Sequence, residues 1–252
     1  MDHKRALNLW MPAKQRLDEA LVAHGHYPSR SRARDAILRG TVRVDGAVAL
    51  KPSQAVSAGA VITIDDAAQH YVSRAALKLN HALQHFAIDV RGRNGLDIGA
   101  STGGFTQVLL EQGAARVTAI DVGHAQMVLT DPRLTLIEGL NARDLSRAHV
   151  PHPIDLIVCD VSFISLKLAL PPALDLAEEG AFLVALIKPQ FEAGREALGK
   201  GGIVSDPLVH ARVCQDMAAF LQSQVWHVQG VTASPVEGGD GNREFLIAAR
   251  KG

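Results

Sequence analysis

The sequence predicts a doubly wound, mostly parallel α/β sheet that ends in an antiparallel hairpin and is preceded by a small α+β domain. Three observations carry that reading. From about Asn94 onward, short apolar runs alternate with helical segments. The first of those runs, Gly95-Leu96-Asp97-Ile98, opens directly into the turn Gly99-Ala100-Ser101-Thr102-Gly103-Gly104. The last two runs, Trp226 to Val231 and Glu244 to Ala249, leave no room for a helix between them and must pair antiparallel.

The small domain is read over residues 16–64. Leu17, Ala20, Leu21 and His24 recur at helical spacing, and Gly25 ends that helix. Ser29 or Ser31 caps a second helix, whose apolar face Ala33, Ala36, Ile37 and Leu38 stops at Gly40. Val42 to Gly46 reads as a strand and tight turn, and Val61 to Ile64 as a second strand. Residues 65–72 read as a linker, and residues 73–252 as the large domain. There Ser73 can cap a helix carrying Ala76, Leu77, Leu79, Leu83 and Phe86. After the first strand come a helix from Phe105 to Gln112 and strands at Arg116 to Ile120, Leu134 to Ile137, Ile154 to Cys159 and Ala181 to Ile187. A helix from about Pro207 to Gln222 starts well, with Ser205 and Asp206 before its proline. Phe191 to Ser205 is rich in glycine and aperiodic, which predicts a mobile loop.

Composition narrows the function classes. The two cysteines, Cys159 and Cys214, lack close-spaced partners, which excludes a disulfide framework or a Cys-x-x-Cys metal site and fits a reducing cytoplasm. None of the eleven histidines forms a cluster with metal-ligand spacing, so no metal is expected. No apolar run approaches the roughly 18 residues that span a bilayer. Met1 to Arg5 lacks the pattern of a signal peptide, and Met11 is a candidate natural start. The formal net charge is zero, yet the stretch from Lys14 to Lys51 holds eight basic and four acidic residues. Such a local excess is what phosphate binding requires.

A glycine-rich turn between a strand and a helix lets a ligand approach the helix N-terminus closely. Alone it does not distinguish nucleotide cofactors. Asp121, ending the second strand, can accept from both hydroxyls of a ribose, and Asp97 precedes the turn. Gly99-x-Ser101-x-Gly103 departs from the dinucleotide pattern, as suits a cofactor without pyrophosphate. The expected cofactor is S-adenosylmethionine, held by Asp97, Gly99, Ser101, Gly103, Gly104, Phe105 and Asp121. Asn141 is placed near the adenine, and an ordinary role as a loop cap is equally open to it.

Four charged residues then share one end of the sheet. Lys78 lies on the entry helix, Asp160 and Lys188 directly follow apolar strands, and Glu244 opens the last strand. Arg16-Leu17-Asp18, Ser29-Arg30-Ser31-Arg32 and Gly40-x-Val42-x-Val44-Asp45-Gly46 resemble the RNA-binding domain first seen in ribosomal protein S-four. Lys78, Asp160, Lys188 and Glu244 match the catalytic tetrad of the FtsJ-like 2′-O-methyltransferases. Together with Ser73-Arg74-x-x-x-Lys78-Leu79, Asp160-Val161-Ser162-Phe163-Ile164-Ser165, Ile187-Lys188-Pro189-Gln190-Phe191-Glu192 and Gly201-Gly202-Ile203-Val204, they make the chain similar to the TlyA family, also labelled hemolysin A.

The resemblance implies a Rossmann-like methyltransferase fold and methylation of a cytidine ribose in ribosomal RNA. Shorter members are associated with the large subunit, with the small subunit as a second target in others. It also implies that Arg16, Arg30, Arg32, Arg34, Arg39 and Arg43 grip structured RNA, mainly through phosphates. The partner would be a ribosomal subunit, with no membrane involved and a monomer favoured. A ribose hydroxyl is a poor nucleophile and needs a base. Lys188 is the expected base, with Lys78 as a nearby cation that favours its neutral form, and Asp160 and Glu244 as orienting groups.

Competing readings are weaker. An amine-directed base methyltransferase would carry Asn/Asp-Pro-Pro-aromatic where this chain has Asp160-Val161-Ser162-Phe163. A ring-carbon enzyme needs a nucleophilic thiol, and Cys159 alternates away from Asp160 along its strand. A secreted pore former finds no export signal or apolar span. A ribosome-assembly factor without catalysis would not need the tetrad.

Overall fold

The computed structural model describes residues 14–238 and 241–252; the reading of Met11 as a start lies outside them. The chain divides into two compact units, Met1–His70 and Tyr71–Gly252.

In the first unit, β1 (Lys14–Arg16) leads into α1 (Leu17–Ala23), followed by α2 (Arg30–Leu38), β2 (Val42–Val44), β3 (Ala47–Val48), β4 (Ala55–Ser57) and β5 (Ile62–Ile64). Ser29 caps α2, its hydroxyl accepting from the Arg32 amide at 3.3 Å. Gly25 and Gly40 end the two helices with φ of +74°, a conformation glycine adopts without strain. Leu17, Leu21, Ala33, Ile37 and Val42 are fully buried between the helices and the sheet order β3-β2-β5. A separate pairing, β1 with β4, went unread because its strands are three residues each, too short for a visible period.

The stretch expected as a linker is partly built into this unit. Both terminal nitrogens of Arg39 grip Asp66, at 2.7 and 2.9 Å, and the Tyr27 hydroxyl donates to the same carboxylate at 2.8 Å. Arg32 donates to the Ala68 carbonyl and Gln69 to that of His26, each at 3.1 Å. The tethers are polar and non-local, so no apolar pattern announced them.

The second unit opens with α3 (Ala75–His85), and the Ser73 hydroxyl accepts from the Ala75 amide at its start. There follow β6 (Asn94–Ile98), α4 (Gly104–Glu111), β7 (Arg116–Asp121), β8 (Leu134–Glu138), β9 (Ile154–Cys159), α5 (Leu166–Ala169), α6 (Pro171–Leu176), β10 (Ala177–Ile187), α7 (Pro189–Glu192), α8 (Pro207–Ser223), β11 (Trp226–Ala233) and β12 (Phe245–Lys251). The seven-stranded sheet has the order β11-β12-β10-β9-β6-β7-β8. The strands from β8 to β10 run parallel, while β12 runs antiparallel between β10 and β11. This is the doubly wound sheet with a terminal hairpin that the sequence predicted.

Alternation along the strands explains their continuous apolar runs. In β9 and β10, Leu156, Val158, Val184 and Leu186 pack beneath Leu79, Leu83 and Leu109 of α3 and α4. Ile157, Cys159, Leu183, Ala185 and Ile187 face the opposite layer, with Val213, Met217 and Leu221 of α8. Asp206 caps α8, accepting from the Leu208 amide at 2.8 Å, with Pro207 in the first turn.

Two details depart from the expected alternation. Among the described residues, no helix joins β7 to β8, and the short helices α5 and α6 fill the β9 to β10 connection. The segment expected as a mobile loop is also pinned. Val204 is buried, and the fully buried Asn242 side chain accepts from its amide at 2.9 Å and donates to the Gly202 carbonyl at 3.2 Å. The His210 ring meets the Val204 carbonyl at 2.8 Å.

Candidate active site

The site forms where the carboxyl ends of β6, β7, β9 and β10 come together, the edge at which open parallel sheets bind ligands. Three cavities adjoin there. The largest, about 940 Å³, runs along Gly99, Ser101, Asp121, Asn141, Asp160 and Phe163. A second, about 220 Å³, lies between Ser73, Gly104, Phe105, Asp160, Ser162 and Lys188. A third, about 550 Å³, is lined by Arg74, Lys78, Lys188, Phe191, Gly202 and Glu244.

The turn after β6 needs its small residues. A Cβ on Gly99 would stand 2.6 Å from the Asp160 backbone oxygen, and its φ is +82°. Only glycine therefore lets the turn reach the end of β9. One on Gly104 would collide with the Ser73 hydroxyl. Asp121 braces the turn, its two carboxylate oxygens accepting from the Ser101 amide at 2.8 Å and the Gly123 amide at 2.7 Å. Gly103 heads α4 at φ +101° against Met127 and Leu129, and it does not line the three cavities. Phe105 is mainly a core residue that edges the second cavity.

Asp97 sits beneath the turn, fully buried. Thr106 donates to one of its oxygens at 2.6 Å, and the other has no hydrogen-bond partner among the described residues. Burial pushes this carboxyl up to about 7, against the pull of the Thr106 hydrogen bond. Asn141 lies in the loop after β8. Its side chain accepts from the Arg143 amide at 3.1 Å, capping a short turn, while it also lines the large cavity.

The four charged residues form two ion pairs. Lys78 Nζ lies 2.5 Å from Glu244 Oε2, and Lys188 Nζ lies 2.6 Å from Asp160 Oδ1. Lys78, Lys188 and Glu244 are buried yet line the third cavity. Each lysine thus has its own counter-ion, and Lys78 does not present the uncompensated charge to Lys188 that the sequence suggested. Lys188 also donates to the Ser162 hydroxyl at 2.8 Å, a contact the sequence reading missed. Its only signal was a hydroxyl two residues past the strand-end aspartate. Glu192 was missed as well: it accepts from Ser165 Oγ at 2.6 Å and the Leu166 amide at 2.7 Å, tying α7 to the start of α5.

Comparison with known families matches residues 71–251 to the FtsJ-like methyltransferase model and residues 15–62 to the S4 domain. The 16S/23S rRNA (cytidine-2′-O)-methyltransferase TlyA of Mycobacterium tuberculosis is 45% identical over 95% of this chain and 91% of its own length. The chain belongs to the TlyA family. Hemolysin A of Brachyspira hyodysenteriae is 39% identical over 92% of this chain and 98% of its own. A solved structure from Streptococcus thermophilus that carries a hemolysin name superposes with a TM-score of 0.73, at 38% identity over 95% of this chain and 89% of that one.

In this TlyA-family chain the arginines of the first unit fall into two groups. Arg16 holds the buried Asp18 at 3.0 and 3.1 Å, and Arg39 is committed to Asp66 and to Asp35 at 3.0 Å. Their hydrogen bonds depress Asp18 below the usual carboxylate range and, outweighing the burial that opposes them, depress Asp66 too. Arg30 pairs with Asp18 and Glu19 but keeps a half-exposed side chain. Arg34 and Arg43 are exposed, and no carboxylate pairs with them among the described residues. Cys159 is fully buried and burial pushes its thiol far up, which removes it as a nucleophile.

Proposed function

We propose that this protein transfers a methyl group from S-adenosylmethionine to the ribose 2′-oxygen of ribosomal RNA, a cytidine of the large subunit foremost. One observation carries the reading: the Lys188–Asp160 pair joins the cavities, Lys188 lining the second and third and Asp160 the first and second. The TlyA relatives named for this reaction support the substrate class.

The large cavity suits the cofactor. Asp121 stands at its lip with lone pairs left for ribose hydroxyls, Asn141 lies further along, and the unpartnered oxygen of Asp97 underlies the turn where an amino-acid group would rest. S-adenosylmethionine supplies a methyl group on a positively charged sulfur, a carbon that needs only an aligned oxygen nucleophile. The chain's own residues provide that alignment. Lys188 would accept the hydroxyl proton as the oxygen–carbon bond forms and the carbon–sulfur bond breaks, the electron pair of the broken bond leaving with the sulfur as a neutral thioether. Asp160 then balances the ammonium charge, and Lys78 with Glu244, lining the same cavity as Lys188, orients the ribose. Holding the oxygen about 3 Å from the methyl carbon accounts for much of the acceleration.

Arg30, Arg32, Arg34 and Arg43 would hold RNA phosphates, positioning the enzyme without reading bases. The four tetrad residues pair within one unit of the chain, which supports action as a monomer, and a ribosomal substrate supports a cytoplasmic location. Among the described residues no helix is long and apolar enough to cross a membrane.

The test is methyl transfer from radiolabelled S-adenosylmethionine to isolated ribosomal subunits, comparing wild type with Lys188→Ala and mapping label by resistance to alkaline cleavage. Label at an alkali-resistant ribose, lost in the variant while cofactor binding survives, is expected. Label on a base would overturn the 2′-O assignment. No transfer despite cofactor and RNA binding would favour an assembly factor.

A further inference from the structure

Lys188 has a second partner besides Asp160: the hydroxyl of Ser162, at 2.8 Å. Ser162 is placed where this matters, since it lines all three cavities. The turn that carries it is held hard. The next residue, Phe163, adopts φ +65°, a strained conformation for a non-glycine residue. Three residues on, Ser165 and the Leu166 amide are both clamped by Glu192 of α7. Because α7 begins directly after Lys188, the clamp fixes the 160–166 turn against the segment that supplies the lysine.

We propose that Ser162 is a positioning residue for the Lys188 amine, a fifth member of the acceptor site. This role depends on Lys188 acting as the base. A lysine amine that can take up a proton has two N–H groups and one lone pair. Ser162 Oγ at 2.8 Å accepts one of those hydrogens, while Asp160 Oδ1 stands 2.6 Å from the nitrogen as an ion-pair partner outside hydrogen-bond geometry. With one N–H held by Ser162 and the Asp160 carboxylate repelling the lone pair from its own side, the lone pair is turned toward the cavity that Lys188 lines. Without Ser162 one N–H is free to rotate, and it can point at the acceptor oxygen in place of the lone pair. That oxygen would then receive a hydrogen bond when it needs to lose a proton. The amine would still be buried and still paired with Asp160, so substrate binding should be unaffected while the chemical step slows.

The experiment is steady-state methylation of ribosomal subunits by Ser162→Ala, Ser162→Thr and Lys188→Ala, with S-adenosylhomocysteine affinity and melting temperature measured on each. Ser162→Ala should lower kcat at least tenfold while KM for the subunit, cofactor affinity and melting temperature stay near wild type. Ser162→Thr, which restores a hydroxyl, should recover kcat to within a few-fold. Wild-type kcat in Ser162→Ala alongside an inactive Lys188→Ala would overturn the role of Ser162 alone. A raised KM with unchanged kcat would also overturn it, assigning the hydroxyl to RNA binding. Full kcat in Lys188→Ala would instead overturn the general-base reading on which the role depends.

Discussion

Arg39 and Asp66 meet end to end, two guanidinium nitrogens on two carboxylate oxygens at 2.7 and 2.9 Å, with the Asp66 side chain almost wholly buried. The pair closes the first unit at a point the sequence marked as linker. It also takes Arg39 out of the set of cations free to meet RNA.

Replacing Asp66 with alanine leaves Arg39 and the Tyr27 hydroxyl without their main partner, and should destabilise the first unit by about 2–4 kcal/mol. The sign with pH follows from the depressed Asp66 carboxyl. Its contribution is present above the unfolded carboxylate range and is lost as pH falls through the lower folded value. Urea unfolding of the full chain at neutral and acid pH checks both, with the difference between wild type and Asp66→Ala shrinking on acidification.

Arg34 and Arg43 should behave oppositely to Arg39. Alanine at either exposed position should leave melting temperature unchanged, weaken binding to ribosomal RNA, and reduce the slope of log affinity against log salt by about 1. Arg39→Ala should lower melting temperature. Filter binding across a salt series, beside thermal melts, separates the two groups.

Asp97 should make the second unit less stable at alkaline pH. Its folded value of about 7 is raised by burial, well above the unfolded carboxylate value of roughly 3.9. Between those limits the folded state binds the extra proton, so stability falls as pH rises through that window. Asp97→Asn should therefore gain on wild type in melting temperature at pH 8 relative to pH 5, while binding S-adenosylmethionine more weakly. Melts at the two pH values and calorimetric titration are the checks.

Gly99→Ala tests the turn. The φ of +82° alone costs about 1–3 kcal/mol for a residue with a side chain, and the new Cβ would stand 2.6 Å from the Asp160 backbone oxygen. Cofactor affinity and methyl transfer should fall together with melting temperature. Gly201→Ala also has positive φ but meets nothing within 4 Å, and should preserve cofactor affinity.

What the sequence made legible was periodic or punctual. The runs of β9 and β10 were readable because both faces are covered, and the tetrad because Asp160 and Lys188 stand directly after them. What it hid depends on partners far along the chain. Nothing local distinguishes Arg39 from Arg34, although one is clamped on Asp66 and the other is exposed. The glycine-rich stretch before α8 lacked periodicity because its anchors, Asn242 and His210, hold it through backbone groups. Likewise, the short strands β1, β3 and β4 acquire their identity only through pairing.

Lys78 and Glu244 stand 166 residues apart, and this distance sets an order of events during synthesis. Chains grow from the N-terminus and domains fold as they emerge. The pairings of the first unit lie within residues 14–64, so its sheets can form early. The second sheet cannot be finished in the same way. Among the described residues β11 pairs only with β12, and β12 must first slot in beside β10, so both edges of the hairpin wait for β12. Glu244 arrives with that strand. A nascent chain therefore holds Lys78 without its counter-ion until Glu244 emerges 166 residues later, and the acceptor site is completed with β12.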